Sequence, residues 1–213
     1  MMWPVGDDPR WRAVGAACGL VGPAVFLAGW AVVGAATAGY SARHQPISDL
    51  ARIGAPHRLA MTAALFVYGL CLLGFAPVLG RALGRGLLTA GVALIGITAL
   101  GVAAFPLTRV AHSTGDTVHA TFAVTGYLAA AATPLIGGTA QWARGERGWA
   151  AGSLVAAGVA AVALTVAVAW ANPGLAQRLG LTVTDLWLMV MAARVLWSGP
   201  LAPGPRDAAV RVR

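Results

Sequence analysis

The hydrophobic positions of this chain fall into six long runs separated by short polar inserts. The first, Ala13 to Ala38, is about 26 residues, or about 39 Å as a helix, enough to cross a bilayer with tilt. The others run from His57 to Leu79, Gly86 to Phe105, roughly Thr117 to Ile136, Trp149 to Ala171 and about Leu179 to Ser198. A polar insert, residues 39–56, joins the first two, with Pro56 placed where a helix takes its first residue. A tight turn at 80–85, the stretch 105–119, a link from Gly137 to Gly148 and the turn Asn172-Pro173-Gly174 make the other connections. The pattern predicts an all-α polytopic membrane protein, a bundle of six transmembrane helices over residues 13–198. A polar N-terminal tail (1–12) and a Pro/Gly-rich, disordered C-terminal tail (199–213) flank it.

Composition supports the same class. Of 213 residues, 58% are hydrophobic and 10% charged, and the mean hydropathy is +0.74, far from the balance of a soluble domain. The net charge of +8 invites a nucleic-acid reading, but all 15 basic residues are arginines placed singly or in pairs at the ends of apolar runs. Their expected partners are lipid headgroups, with no nucleic acid. Cys18 and Cys71 both fall inside apolar runs, which argues against a structural disulfide or a metal signature. Ala36-Thr37-Ala38 resembles a signal-peptide cleavage site, yet the run before it exceeds the usual ~7–15 residues, so the first helix is expected to stay as an anchor.

Six spans put both termini on one side, and arginines choose it. Nine (Arg10, Arg12, Arg81, Arg85, Arg144, Arg147, Arg206, Arg211, Arg213) lie on the terminal side and five (Arg43, Arg52, Arg58, Arg109, Arg178) opposite, with Arg194 snorkelling from the sixth helix. The positive-inside rule then gives an N-in/C-in protein of the inner (plasma) membrane. Trp11, Trp142, Trp149 and Trp197 form an inner aromatic belt, Tyr40 and Trp170 an outer one.

That orientation gathers the polar chemistry on the outer side: His44, His57, His112, His119, Asp49, Asp116 and Asp185. His57 and His119 would occupy the first turns of the second and fourth helices, where the helix dipole favours the neutral imidazole that accepts a proton or binds a metal. Asp116 and Asp49 would orient such rings or act as bases, and Arg58 would hold an anionic group. Asp185, some six residues into the last helix, needs a partner, with Arg58, His57 and His119 the candidates. The catalytic candidates are therefore His57, Asp116, His119 and Asp185. The ligand-binding candidates are Arg58, His44, Asp49, Ser48, His112 and Arg109. The sequence names no cofactor; a divalent metal, if one binds, would take His57, Asp116 and His119. Against this stands plain capping, since Ser48, Asp49, Thr114 and Asp116 precede helices. Arg43 with Asp49, Arg109 with Asp116 and Arg178 with Asp185 form a three-fold echo that suggests repeated hairpins. Gly15 and Gly19 form a GxxxG for helix contact, Gly22-Pro23 is expected to kink the first helix, and Tyr68, Tyr127 and Trp30 are candidates to line a cavity.

The two outer inserts, HQPISDLARIGAPHR at 44–58 and FPLTRVAHSTGDTVH at 105–119, carry a resemblance. A P-x-S-x-L followed by a Gly step, then F-P and two histidines seven apart, resembles a bacterial multispanning membrane family catalogued as the domain of unknown function 998. The matching positions are Pro46, Ser48, Asp49, Leu50, Gly54, Phe105, Pro106, His112 and His119, and the likeness covers about residues 13–198. The family implies a fold and no activity. A more distant likeness is to membrane hydrolases with Ser, Asp and His around zinc, but their seven-helix count and His-x-x-x-His pair are missing here. Three readings stay open: a non-catalytic binding or assembly component with a membrane partner or second copy, a membrane-embedded hydrolase or transferase acting on a lipid-linked substrate, and a small-solute transporter.

Overall fold

The structure is a computed structural model that describes residues 9–108, 110, 113–169 and 173–197. His112, Arg109, Trp170, residues 1–8 of the N-terminal tail and the whole C-terminal tail lie outside the described residues, while residues 9–12, expected in the tail, belong to the first helix. Six long α-helices make up the described chain: α1 (Pro9–Ala36), α2 (Arg58–Ala82), α3 (Gly86–Ala104), α4 (Thr114–Ala143), α5 (Arg147–Ala169) and α6 (Gly174–Trp197). Each is long and apolar enough to cross a membrane. A 3-10 turn, Ile47–Ala51, lies in the α1–α2 connection.

Each helix packs against its neighbour in sequence and α6 returns to α1, so the six close into a ring; α6 also touches α4 and α2 across the middle. The α1–α2, α3–α4 and α5–α6 connections share one end, called distal below. The α2–α3 and α4–α5 turns share the proximal end with the start of α1 and the finish of α6. Association among helices in lipid depends on close backbone approach. The expected GxxxG does this: a Cβ on Gly19 would lie 2.7 Å from the Phe75 ring, so α2 sits directly on α1 there. Cys18 and Cys71 are free thiols on the same pair of helices. The α1 helix continues through Pro23.

Two boundaries differ from the sequence expectation by five residues or more, for physical reasons. The α4 helix runs to Ala143 instead of stopping near Ile136, because Gly137 and Gly138 are packing positions and not a link: a Cβ on Gly138 would lie 3.0 Å from Leu154, and one on Gly137 would strike Trp187. The α6 helix begins at Gly174, five residues earlier than Leu179. The Leu175 N–H donates to the Arg43 carbonyl at 3.0 Å, and a Cβ on Gly174 would lie 2.6 Å from the carbonyl oxygens of Ala42 and Gln45. Only glycine lets α6 start against that loop.

Arg194 does not snorkel. It pairs with Glu146 at 2.9 Å and lies 4.5 Å over the Trp149 ring, while Arg147 lies 4.3 Å over Trp142, so the proximal arginines and tryptophans are stacked on one another. Tyr40, expected in an outer belt, is instead half-buried against α6.

Candidate functional site

The distal end is built from two connections that lock together. Arg52 pairs with Asp49 at 2.6 Å and donates to the Thr108 carbonyl at 2.8 Å, and the Ile53 N–H donates to the Leu107 carbonyl at 2.9 Å. Asp116 ties down the second connection, its carboxylate accepting from the Thr108 N–H at 2.7 Å. Ser113 caps α4 by accepting from the Asp116 N–H at 3.1 Å.

The first connection is held to α6 by two adjacent side chains. Arg178, buried, donates to the carbonyls of Ala42 (2.7 Å), Gln45 (2.9 Å) and Gly174 (2.9 Å) and to the Tyr40 hydroxyl, and lies 5.2 Å over the Trp30 ring. Burial raises the Tyr40 pKa despite the adjacent guanidinium, so the phenol stays neutral and donates to the Pro46 carbonyl at 3.0 Å. Gln177 accepts from the Ile47 N–H at 2.8 Å and donates to the Tyr127 hydroxyl at 2.5 Å.

Beneath this roof is a cavity of about 80 Å³ at the centre of the ring. Its walls are mainly apolar, from Phe26, Leu65, Ile95 and Phe122, with polar groups from Ser48, Tyr68, His119, Tyr127 and Gln177. The His119 Nδ1 lies 2.7 Å from the Phe105 carbonyl. A carbonyl only accepts, so Nδ1 carries a proton, and in its neutral form the ring has its lone pair on Nε2. Tyr68 stacks on Phe26 at 4.8 Å and donates to Asp185 Oδ1 at 2.7 Å. The other oxygen of Asp185 is buried without a partner among the described residues. Asp185 stands eleven residues after Gly174, about 16 Å along α6 and close to its middle.

The sequence candidates thus divide. His119 and Ser48 share the cavity, with Tyr68 and Tyr127 as expected liners and Asp185 one hydrogen bond behind; Trp30 is not on its wall. His57 and His44 are exposed, and the His57 side chain makes no capping bond at the start of α2. The Arg58 Nε is buried without a partner among the described residues, and Asp185 takes Tyr68 in place of Arg58, His57 or His119. His57, Asp116 and His119 do not gather as a metal set: among the described residues no three of His, Cys, Asp and Glu stand where one ion could join them. The reason is local. Asp116 turns to its own loop, and His57 precedes α2 on the outside. Of the Arg–Asp echo, Asp49 pairs with Arg52, Asp116 accepts from a backbone N–H and Asp185 accepts from a tyrosine, while Arg109 lies outside the described residues.

Gln177 and the clamping role of Arg178 escaped the sequence reading. Once α6 starts at Gly174, Gln177, Arg178, Leu181, Thr184 and Asp185 form one stripe at helical spacing, and that stripe was the available signal.

No curated protein and no solved structure matches this chain significantly. A family model described as a protein of unknown function, DUF998, matches residues 20–194, which takes in part or all of each of the six helices, the roof and the cavity. This chain belongs to the DUF998 family.

Proposed function

We propose that the protein is a membrane-embedded, non-catalytic binding component. Its distal cavity takes an uncharged, mostly apolar molecule through one hydroxyl group. The observation that carries the reading is His119, whose Nδ1–H is committed to Phe105 and whose Nε2 remains an acceptor in an apolar-walled cavity. A hydroxyl donates to such a nitrogen. An ether or a carbonyl has no proton to offer it. The acids of the two distal connections are engaged in the roof, Asp116 with Thr108 and Asp49 with Arg52, so His119 serves as a recognition group here. The arginine count of the sequence supports an extracytoplasmic distal end, which a reporter fused to the C-terminus would check by remaining cytoplasmic.

The test uses two probes of identical formula, 1-butanol and diethyl ether. With imidazole-labelled protein in detergent, butanol produces a saturable shift of the His119 resonance and ether does not. His119→Phe protein loses the butanol site. Equal responses to the two probes, or a butanol site retained by His119→Phe, would overturn the assignment.

A second reading, proton-linked transport, draws on Asp185: a buried carboxyl midway along α6 with one oxygen unpartnered, joined to the cavity through Tyr68. Infrared difference spectra in D₂O decide it. An exchangeable carboxyl band that vanishes in Asp185→Asn protein supports the reading, and a carboxyl closed to exchange sinks it.

A further inference from the structure

A second concavity lies on the outside of the ring, between α5 and α6. It is a groove of about 780 Å³ walled by Gly158, Val159, Val162, Val166, Leu175 and Leu179. From residue 158 to 166 it follows α5 for about 12 Å, ending at the distal connections. Both helices are long and apolar enough to span a membrane, so the groove faces hydrocarbon along its length. Its distal mouth is different in kind. Arg43 and His44 line it there, both exposed.

Neither side chain makes a hydrogen bond or ion pair among the described residues, while the acid of the same connection, Asp49, is bound to Arg52. Arg43 is also fixed in place. Its carbonyl accepts from the Leu175 N–H at the start of α6, and the neighbouring Ala42 and Gln45 carbonyls are held by Arg178. A positive side chain is therefore carried on a fixed stretch of backbone at the end of an apolar trough, at the depth where headgroups meet acyl chains.

We infer that the α5–α6 groove is a binding site for a phospholipid with an anionic headgroup. One acyl chain lies along Val159, Val162 and Val166, and the phosphate group sits on Arg43 with His44 beside it. An apolar trough alone would accept any lipid; the unneutralised guanidinium selects negative charge. The site is separate from the central cavity and stands whether or not the cavity binds an alcohol.

Gly158 supplies the decisive variant. A Cβ at that position meets no atom within 4 Å, so Gly158→Leu fills the trough without disturbing the helices. Full-length protein in detergent is mixed with phosphatidylglycerol and phosphatidylcholine of matched chains and weighed by native mass spectrometry. Wild type retains phosphatidylglycerol at least about five-fold over phosphatidylcholine at the first site. Arg43→Gln brings that ratio near parity, Arg43→Lys keeps most of it, and Gly158→Leu lowers first-site occupancy of both lipids. Circular dichroism melts confirm that each variant is folded. Parity in wild type, an unchanged ratio in Arg43→Gln, undiminished occupancy in Gly158→Leu, or a lipid-free dimer as the main species would each overturn the inference.

Discussion

The Trp187–Ser153–Gln141 chain in the proximal half and the cavity lining in the distal half both bury polar side chains, but they use them differently. In the proximal half the Trp187 Nε1–H donates to Ser153 Oγ at 2.8 Å, Ser153 donates to Gln141 Oε1 at 2.7 Å, and the Gln141 amide donates to Met191 Sδ at 3.3 Å. That chain joins α6, α5 and α4, and each of its strong donors and acceptors has a protein partner. In the distal half His119 Nε2, the Tyr127 hydroxyl hydrogen and Asp185 Oδ2 are left over among the described residues. A closed network specifies packing, while one with open valences beside a cavity is suited to meeting something else.

Substitutions sharpen this contrast, and the largest effect should come from the clamp. Arg178→Met leaves several buried carbonyls without donors and is expected to cost about 3 kcal/mol, read as a lowered melting temperature in detergent. Lysine, a single ammonium, should recover little of it. Gln141→Leu should cost about 2 kcal/mol by stranding the Ser153 hydroxyl. Combining it with Ser153→Ala should cost less than the sum of the two, and strict additivity would mean that the proximal chain is not one unit. Gly174→Ala should cost about 1–2 kcal/mol, since the loop carbonyls must retreat from the new methyl. A hydroxyl on the distal cavity wall should matter least to folding. Ser48→Ala, which removes a hydroxyl on the cavity wall, should change stability by less than about 0.5 kcal/mol in the same melts. A large loss there would erase the difference between the halves.

Much of the fold was legible because a membrane span needs only length and apolarity, and all six runs have both. Boundaries were less so. Gly137 and Gly138 read as a link by composition, and only the ring of Trp187 and the side chain of Leu154 show why small residues are needed inside α4. The candidate site was half legible. His119 and Ser48 stood out as polar residues beside apolar runs, and Tyr68 and Tyr127 as aromatics within them. The pairing of Asp185 with Tyr68 spans 117 positions and leaves no local trace. Gln177 and Arg178 were hidden because the start of α6 was placed after them. His57 and Asp116 drew notice by residue type, whereas direction decides what a side chain meets.

The attachment of Arg178 to residues 42 and 45 has a consequence for biogenesis. The lid over the cavity is encoded in the first quarter of the chain, yet its latch belongs to the final helix. A nascent or truncated chain ending before α6 would present an uncovered lumen to the bilayer and to any chaperone waiting there. The contacts of residues 52–53 with 107–108 are encoded before α6, and the last span adds the remaining latch.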